Sequence, residues 1–486
     1  MHRHVTQEGP VPAWVLLPAL AGGLSALGGG LWDDVWHTER GRDSFLIAPH
    51  IAIYAGITLV GWALTGWLLM TVRRDGLSAI RRQRPLLIAA LGVAVTLASA
   101  PIDNFWHAAF GRDSVIWSPP HLLGIIGTGV LALALVLALS RSATGWRSTA
   151  RWVAGGAAVA AFAFLTVEYD TDVPQFALSW HLPVLAVSSA FVLSLIRSAT
   201  GDRHAATKSA AAHLVFVVLV SGFLLSQEFD APRLPLLLLG AAVLDAAAPR
   251  RPRVETAMWF VVTLFVGYAL AASVGWSGED YALSDLVIGG LIAWPLVTVV
   301  LALTDRSQSS IPFTGRRHTP VAVLLMALAL PAAAIAHDPG QGEDAGELGV
   351  TMHSVGQRVD VRATLPEGMT AKRLVARRAG DVRSGPLEGS QGAVSGSLEL
   401  PTSGRWFMYL EMTRGGRPVE AWLPVSVGDG RSVVGDRSRF AYYVDRGGSS
   451  AVQVVSSVIL YGLVLALLGA LVVLVRRDGP APQAAV

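Results

Sequence analysis

Two stretches of the chain carry the same donor atoms at nearly the same intervals. Asp33, His37 and His50 lie in DDVWHTERGRDSFLIAPH, and Asp103, His107 and His121 in DNFWHAAFGRDSVIWSPPH. In each stretch an Asp and a His stand four residues apart, and a second His returns thirteen or fourteen residues later. Residues four apart share one face of a helix, with Cβ atoms about 5 to 6 Å from each other. The second His opens the next apolar stretch, so each set is shared between two helices. One carboxylate and two imidazoles can hold a transition-metal ion and leave positions open for oxygen or a substrate. These donors suit copper, iron, zinc and nickel alike. A lone Asp–His pair would serve equally well as a hydrogen-bonded cap. Its repetition with an added His, at the edge of a bilayer where ionisable groups are expensive unless paired or bound, favours metal.

The elements that must position these donors are membrane spans. Of 486 residues, 52% are hydrophobic and 15% charged, and the mean hydropathy is +0.50. The fold class expected is therefore an all-α polytopic membrane protein. Apolar runs near twenty residues long predict about twelve transmembrane helices, among them 233–249, 319–336 and 452–475. Arginines cluster in alternate loops, at Arg73 and Arg74, Arg147 and Arg151, Arg197 and Arg203, and Arg250, Arg251 and Arg253. The positive-inside rule then puts both termini in the cytoplasm and both Asp–His sets at the outer face of the cell membrane. The net charge of +3 records these loops and is no argument for nucleic acid. Cysteine is absent, which excludes disulfides, thiolate chemistry and Cys-ligated clusters.

From about residue 337 to 450 the hydropathy falls and alternation with Gly–Pro punctuation predicts an extracytoplasmic β-sandwich. The organisation expected is metal-binding helices over 1–140, further hairpins over 141–336, the β domain over 337–450, and a last helix and tail over 451–486. Later outward hairpins carry Glu168, Asp170, Asp172 and His181, then Glu228 and Asp230, then Glu279, Asp280 and Asp285. With the ordered spacing lost, His181 with Glu168 and Asp170 is a weak candidate metal set, Glu228, Asp230, Glu279 and Asp280 read as solvated or capping acids, and His204 and His213 as snorkelling side chains near cytoplasmic helix ends. Arg42 with Asp43 and Arg112 with Asp113 are candidates for orienting the ligands, or are simple loop ion pairs. Trp36 and Trp106 read as interfacial anchors. The run LPAAAIAHDPG resembles a small-residue cleavage site before His337; uncut, His337 is a loop residue.

The first stretch, with Asp33, Trp36, His37, Arg42, Asp43, Phe45 and His50, resembles the metal-binding segment of the C subunit of the particulate methane and ammonia monooxygenases. The second, with Asp103 where that family usually has Asn, resembles the same subunit's neighbouring site. The likeness covers about residues 12 to 140. It implies copper at both sites, with Asp33, His37 and His50 catalytic, partner subunits, a membrane electron donor and a trimer. The implied activity is O2-dependent hydroxylation of a small apolar molecule or of ammonia, with iron or zinc as other metals the ligands accept. The other readings are a non-enzymatic protein that acquires, stores or delivers copper, and a haem protein using paired histidines. The carboxylates beside the histidines argue against haem.

Overall fold

The computed structural model of the chain describes residues 11–40, 46–80, 83–110, 116–140, 144–172, 174, 176–276, 281–305, 340–378, 381–390, 392–428, 431–445 and 451–478. Among them, ten helices are long and apolar enough to cross a membrane. In chain order the helices are α1 (Ala13–Arg40), α2 (Ala48–Asp75), α3 (Leu77–Ile80), α4 (Arg84–Phe110), α5 (Pro119–Ser140), α6 (Trp146–Ala163), α7 (Val167–Asp170), α8 (His181–Thr200), α9 (Ala205–Ser226), α10 (Leu237–Ala247), α11 (Arg253–Ser273), α12 (Leu283–Thr304) and α13 (Ala451–Asp478). The expected span 319–336 and His337 fall outside the described residues, as do Arg42, Asp43, Arg112, Asp113, Glu279 and Asp280.

Helices α5 and α8 are buried along most of their length and form the centre of the bundle. Around them, α9, α11 and α12 expose Leu219, Phe223, Leu270, Leu283 and Leu291, as spans facing acyl chains must. The hairpins α1–α2 and α4–α5 close on glycine. A Cβ on Gly56 would lie 2.4 Å from the carbonyl oxygen of Gly22, and one on Gly92 would lie 2.7 Å from that of Gly127. Small residues let backbones approach this closely where no hydrophobic effect drives the helices together. The register repeats as well: Gly22 and Gly92 each precede their Asp by eleven residues, and Gly56 and Gly127 each follow their second His by six. The duplication read in the loops therefore extends into the packing of the helices.

The expected span 233–249 is shorter than anticipated. Helix occupies Leu237–Ala247 alone, because Pro232 and Pro235 remove backbone donors and clash with a preceding turn, leaving residues 229–236 irregular.

The C-terminal unit contains β1 (Gly340–Val355), β2 (Arg358–Thr364), β3 (Met369–Arg378), β4 (Asp381–Pro386), β5 (Glu388–Ser390), β6 (Ala393–Glu399), β7 (Gly404–Arg414), β8 (Arg417–Val427) and β9 (Arg431–Asp445). All pairings are antiparallel, in the order β4-β3-β7-β8-β9-β1-β2-β6-β5. The domain was expected as a sandwich of two sheets. It is instead one sheet that curls until it nearly closes, with Gly385 of β4 against Leu398 and Ser397 of β6. Curling hides Trp406, Met408, Leu410, Leu423 and Met352 in a single core. The β7–β8 turn is Gly415–Gly416, both at positive φ, as a two-residue hairpin of right-handed twist requires.

The β domain sits on the end of the bundle that carries the Asp–His sets. Arg378 at the end of β3 lies 3.4 Å from Asp172, which also pairs with Arg233 at 3.1 Å. Arg405 of β7 pairs with Asp230, and β8 touches α1. The opposite end is basic. There Arg476 donates to the carbonyl oxygen of Leu303 at 2.8 Å, and Arg197 pairs with Asp245 at 3.1 Å. In the α8–α9 loop, burial alone would raise the Asp202 carboxyl. The hydrogen bond from Lys208 Nζ (2.7 Å), the N–H of His204 (2.8 Å) and the charge of Arg151 (3.8 Å) outweigh it and hold the group below the usual aspartate range.

Candidate metal centre

Asp33 and His37 occupy the last two turns of α1, which runs to Arg40. His50 stands in the first turn of α2, whose start is set by Pro49, a residue preorganised for the opening of a helix. The Gly22–Gly56 crossing holds the two helices together beneath these turns. The three side chains meet: Asp33 Oδ1 is 3.1 Å from His50 Nε2 and 3.5 Å from His37 Nε2. One ligand atom from each residue falls within 4.8 Å of the others. Metal–ligand bonds of about 2.0 to 2.2 Å place neighbouring donors roughly 3 to 4 Å apart, and the two Asp33–His separations fall in that range. The side chains are 16 to 25% exposed, and the His50 ring lies 5.8 Å from Tyr54.

The second set repeats the first across α4 and α5. Pro119 and Pro120 open α5, and His121 Nε2 lies 3.2 Å from Asp103 Oδ1, matching the corresponding pair in the first hairpin. The side chain of His107 lies outside the described residues. Trp106, expected at the membrane interface, is 2% exposed and packs edge-on against Phe110 at 4.8 Å; its ring is core, because α4 is covered on that face. Trp36 likewise packs inward, 5.6 Å from Phe229 and 6.3 Å from Trp32.

Comparison with protein-family models, with curated proteins and with solved structures gave no match.

Several supporting residues escaped the sequence reading. Glu39, two residues beyond His37, accepts a hydrogen bond from the N–H of Asp230 at 2.7 Å, and Arg40 lies over the rings of Trp36 and Phe229 at 5.8 and 5.1 Å. The loop 228–233 thus braces the end of α1 while Arg405 holds it to the β domain. Asp34 is a second carboxylate in electrostatic reach of Asp33, His37 and Arg405. Glu168, read as a weak candidate ligand, has a structural use: its Oε1 accepts from the N–H of Ile116 at 2.9 Å. Trp117 Nε1 donates to Leu165 O at 3.0 Å, and Tyr461 Oη donates to Trp117 O at 2.9 Å. These bonds fix the segment that leads into His121. They join residues 48 to 344 positions apart, which no local pattern reveals.

Asp170 and His181 do not join either set. His181 opens α8 as His50 opens α2, but its Nδ1 meets Tyr281 Oη at 2.7 Å and its ring stacks on Tyr169 at 4.4 Å. His353 stands in β1 opposite Asp360 of β2, and no third donor group joins them among the described residues.

Proposed function

We propose that this chain is a multi-pass membrane metalloprotein that binds copper at Asp33, His37 and His50, with Asp103, His107 and His121 as a second site. The observation that carries the reading is the convergence of one carboxylate and two imidazoles from adjoining helices to within 4.8 Å. Copper is favoured over iron or zinc by the resemblance of both stretches to the C subunit of copper membrane monooxygenases. The arginines at the opposite end support an orientation with the sites and β domain outward.

A bound copper ion would supply O2-dependent hydroxylation of a small apolar molecule or ammonia, with electrons from a membrane donor. The chain's own residues do the rest. The Asp33 carboxylate offsets part of the cation's charge, while the end of α1 and the start of α2 fix the two imidazoles without loop freedom. The cluster of Trp32, Trp36, Phe223 and Phe229 covers the flank of α1 beside the site. Partner subunits and a trimer belong to the same reading. The partial solvent exposure of all three ligands favours one alternative, a protein that captures and passes on copper without oxidising anything.

Metal analysis of the purified full-length protein tests the binding. One equivalent or more of copper is expected, falling by one in His37→Ala and His50→Ala; unchanged copper in those variants refutes the assignment. Oxygen consumption with a quinol donor and ammonia or methane separates enzyme from carrier.

A further inference from the structure

The span between α9 and α11 is broken in a way the metal sites do not require. Helix α10 has 11 residues, about 16 Å at 1.5 Å per residue, against a hydrocarbon core about 30 Å thick. The remainder, residues 229–236, is irregular. Residues 228–233 belong to the end of the bundle that meets the β domain; below them, irregular backbone at membrane depth survives where it lines a cavity, and broken spans in polytopic bundles mark sites for ions and polar substrates. Here the break lines two cavities. One, of about 10 Å³, is bounded by His181, Asp170, Arg233, Tyr268 and Tyr281. The other, of about 30 Å³, is bounded by His213, Asp170, Arg233, Pro232 and Phe164. Asp170 and Arg233 stand in the walls of both.

Each cavity has a buried histidine with an unanswered ring nitrogen. His181 is 2% exposed and His213 3%. Neither His181 Nε2 nor His213 Nδ1 has a hydrogen-bond partner among the described residues. Ser209, one turn from His213 toward the start of α9, has a buried Oγ in the same condition. Buried polar atoms without protein partners are ordinarily met by water, and a cavity of 10 to 15 Å³ is about the room one water needs. The positive charge of Arg233 is offset in part by Asp172 at 3.1 Å.

We infer that His213, Asp170, His181 and Tyr281 form a hydrated proton path through the bundle. A proton reaches His213 Nδ1 and passes through water to the Asp170 carboxylate and on to His181 Nε2. His181 releases its Nδ1 proton to Tyr281 Oη, whose own hydroxyl proton leaves at the rim. One proton enters, one leaves, and only O–H and N–H bonds change. The path uses none of the metal ligands, so it stands or falls apart from the copper reading.

The test is proton flux into liposomes containing the purified full chain, driven by a valinomycin potassium potential and read with an internal pH dye. Uptake at least tenfold above protein-free vesicles is expected. It should fall tenfold or more in His213→Phe and His181→Phe and stay unchanged in His204→Asn, which lies off the path. Wild-type flux no higher than protein-free vesicles overturns the proposal, as does flux unaffected in both Phe variants. Should a Phe variant fail to give monodisperse protein, Asp170→Asn is read in its place, with the same tenfold loss expected and wild-type flux counting against the path.

Discussion

Replacing Gly56 with Ala probes the link between helix crossing and metal site without touching a ligand. The new Cβ would sit 2.4 Å from Gly22 O and 2.8 Å from Ala26 N, both backbone atoms that cannot swing aside. Ordinary contact begins near 3.4 Å, so α1 and α2 must part by about 1 Å. Overpacking of this kind costs roughly 1 to 3 kcal/mol. His50 lies six residues from the crossing, and a shift of 1 Å would stretch the 3.1 Å Asp33–His50 separation to about 4 Å, well beyond the tolerance of about 0.2 Å in metal–ligand distance. Competition titration with a copper chelator is expected to show affinity for the first site weakened tenfold or more. Gly61→Ala, on the same helix with nothing within 4 Å of its Cβ, should bind as wild type. Wild-type affinity in Gly56→Ala would refute the reasoning that the glycine crossing sets the ligand geometry.

Three further outcomes are expected. Glu168→Ala leaves the Ile116 N–H without its acceptor, at a cost of about 1 to 3 kcal/mol; thermal stability should drop and metal at the Asp103–His121 site weaken while the first site holds. Arg378→Ala with Arg405→Ala removes two ion pairs that tie the β domain to the bundle, and limited proteolysis should cut between the two units severalfold faster. Asp202 titrates below its ordinary value when folded, so its contribution is present above the unfolded pKa near 3.9 and is lost as pH falls through the folded pKa. The stability advantage of wild type over Asp202→Asn, about 1 kcal/mol or less for such a part-exposed pair, should be constant above pH 5 and shrink below pH 4 in chemical-denaturation curves.

The parts of the site legible in the sequence are those fixed by local geometry. Asp33 and His37 share a face because they are four apart, and His50 and His121 follow prolines that start helices. What could not be read was long-range. Nothing among fifty glycines distinguishes Gly22 and Gly56 until the helices cross, and Glu168 meets Ile116 across 52 residues. Hydropathy suggested a whole helix over 233–249, because four consecutive leucines outweigh Pro232 and Pro235 in any averaging window. His213 was read as snorkelling to a helix end. It lies instead against Gly156 of α6, where the absence of a side chain brings the two backbones together and the imidazole faces an internal cavity, not the solvent beyond the helix end. The alternation of β1 to β9 announced antiparallel strands, but whether a sheet closes on itself depends on curvature that period alone does not carry.

The central claim is that two imidazoles and a carboxylate hold one ion between α1 and α2. Pulsed paramagnetic resonance of the copper-loaded, full-length protein measures it directly, by counting the ¹⁴N couplings from the remote ring nitrogens of bound histidines. Two couplings per copper at the first site are predicted, reduced to one in His50→Ala and one in His37→Ala with the second site disabled by His121→Ala. Copper bound with no histidine coupling, or couplings unmoved by either substitution, would contradict the account.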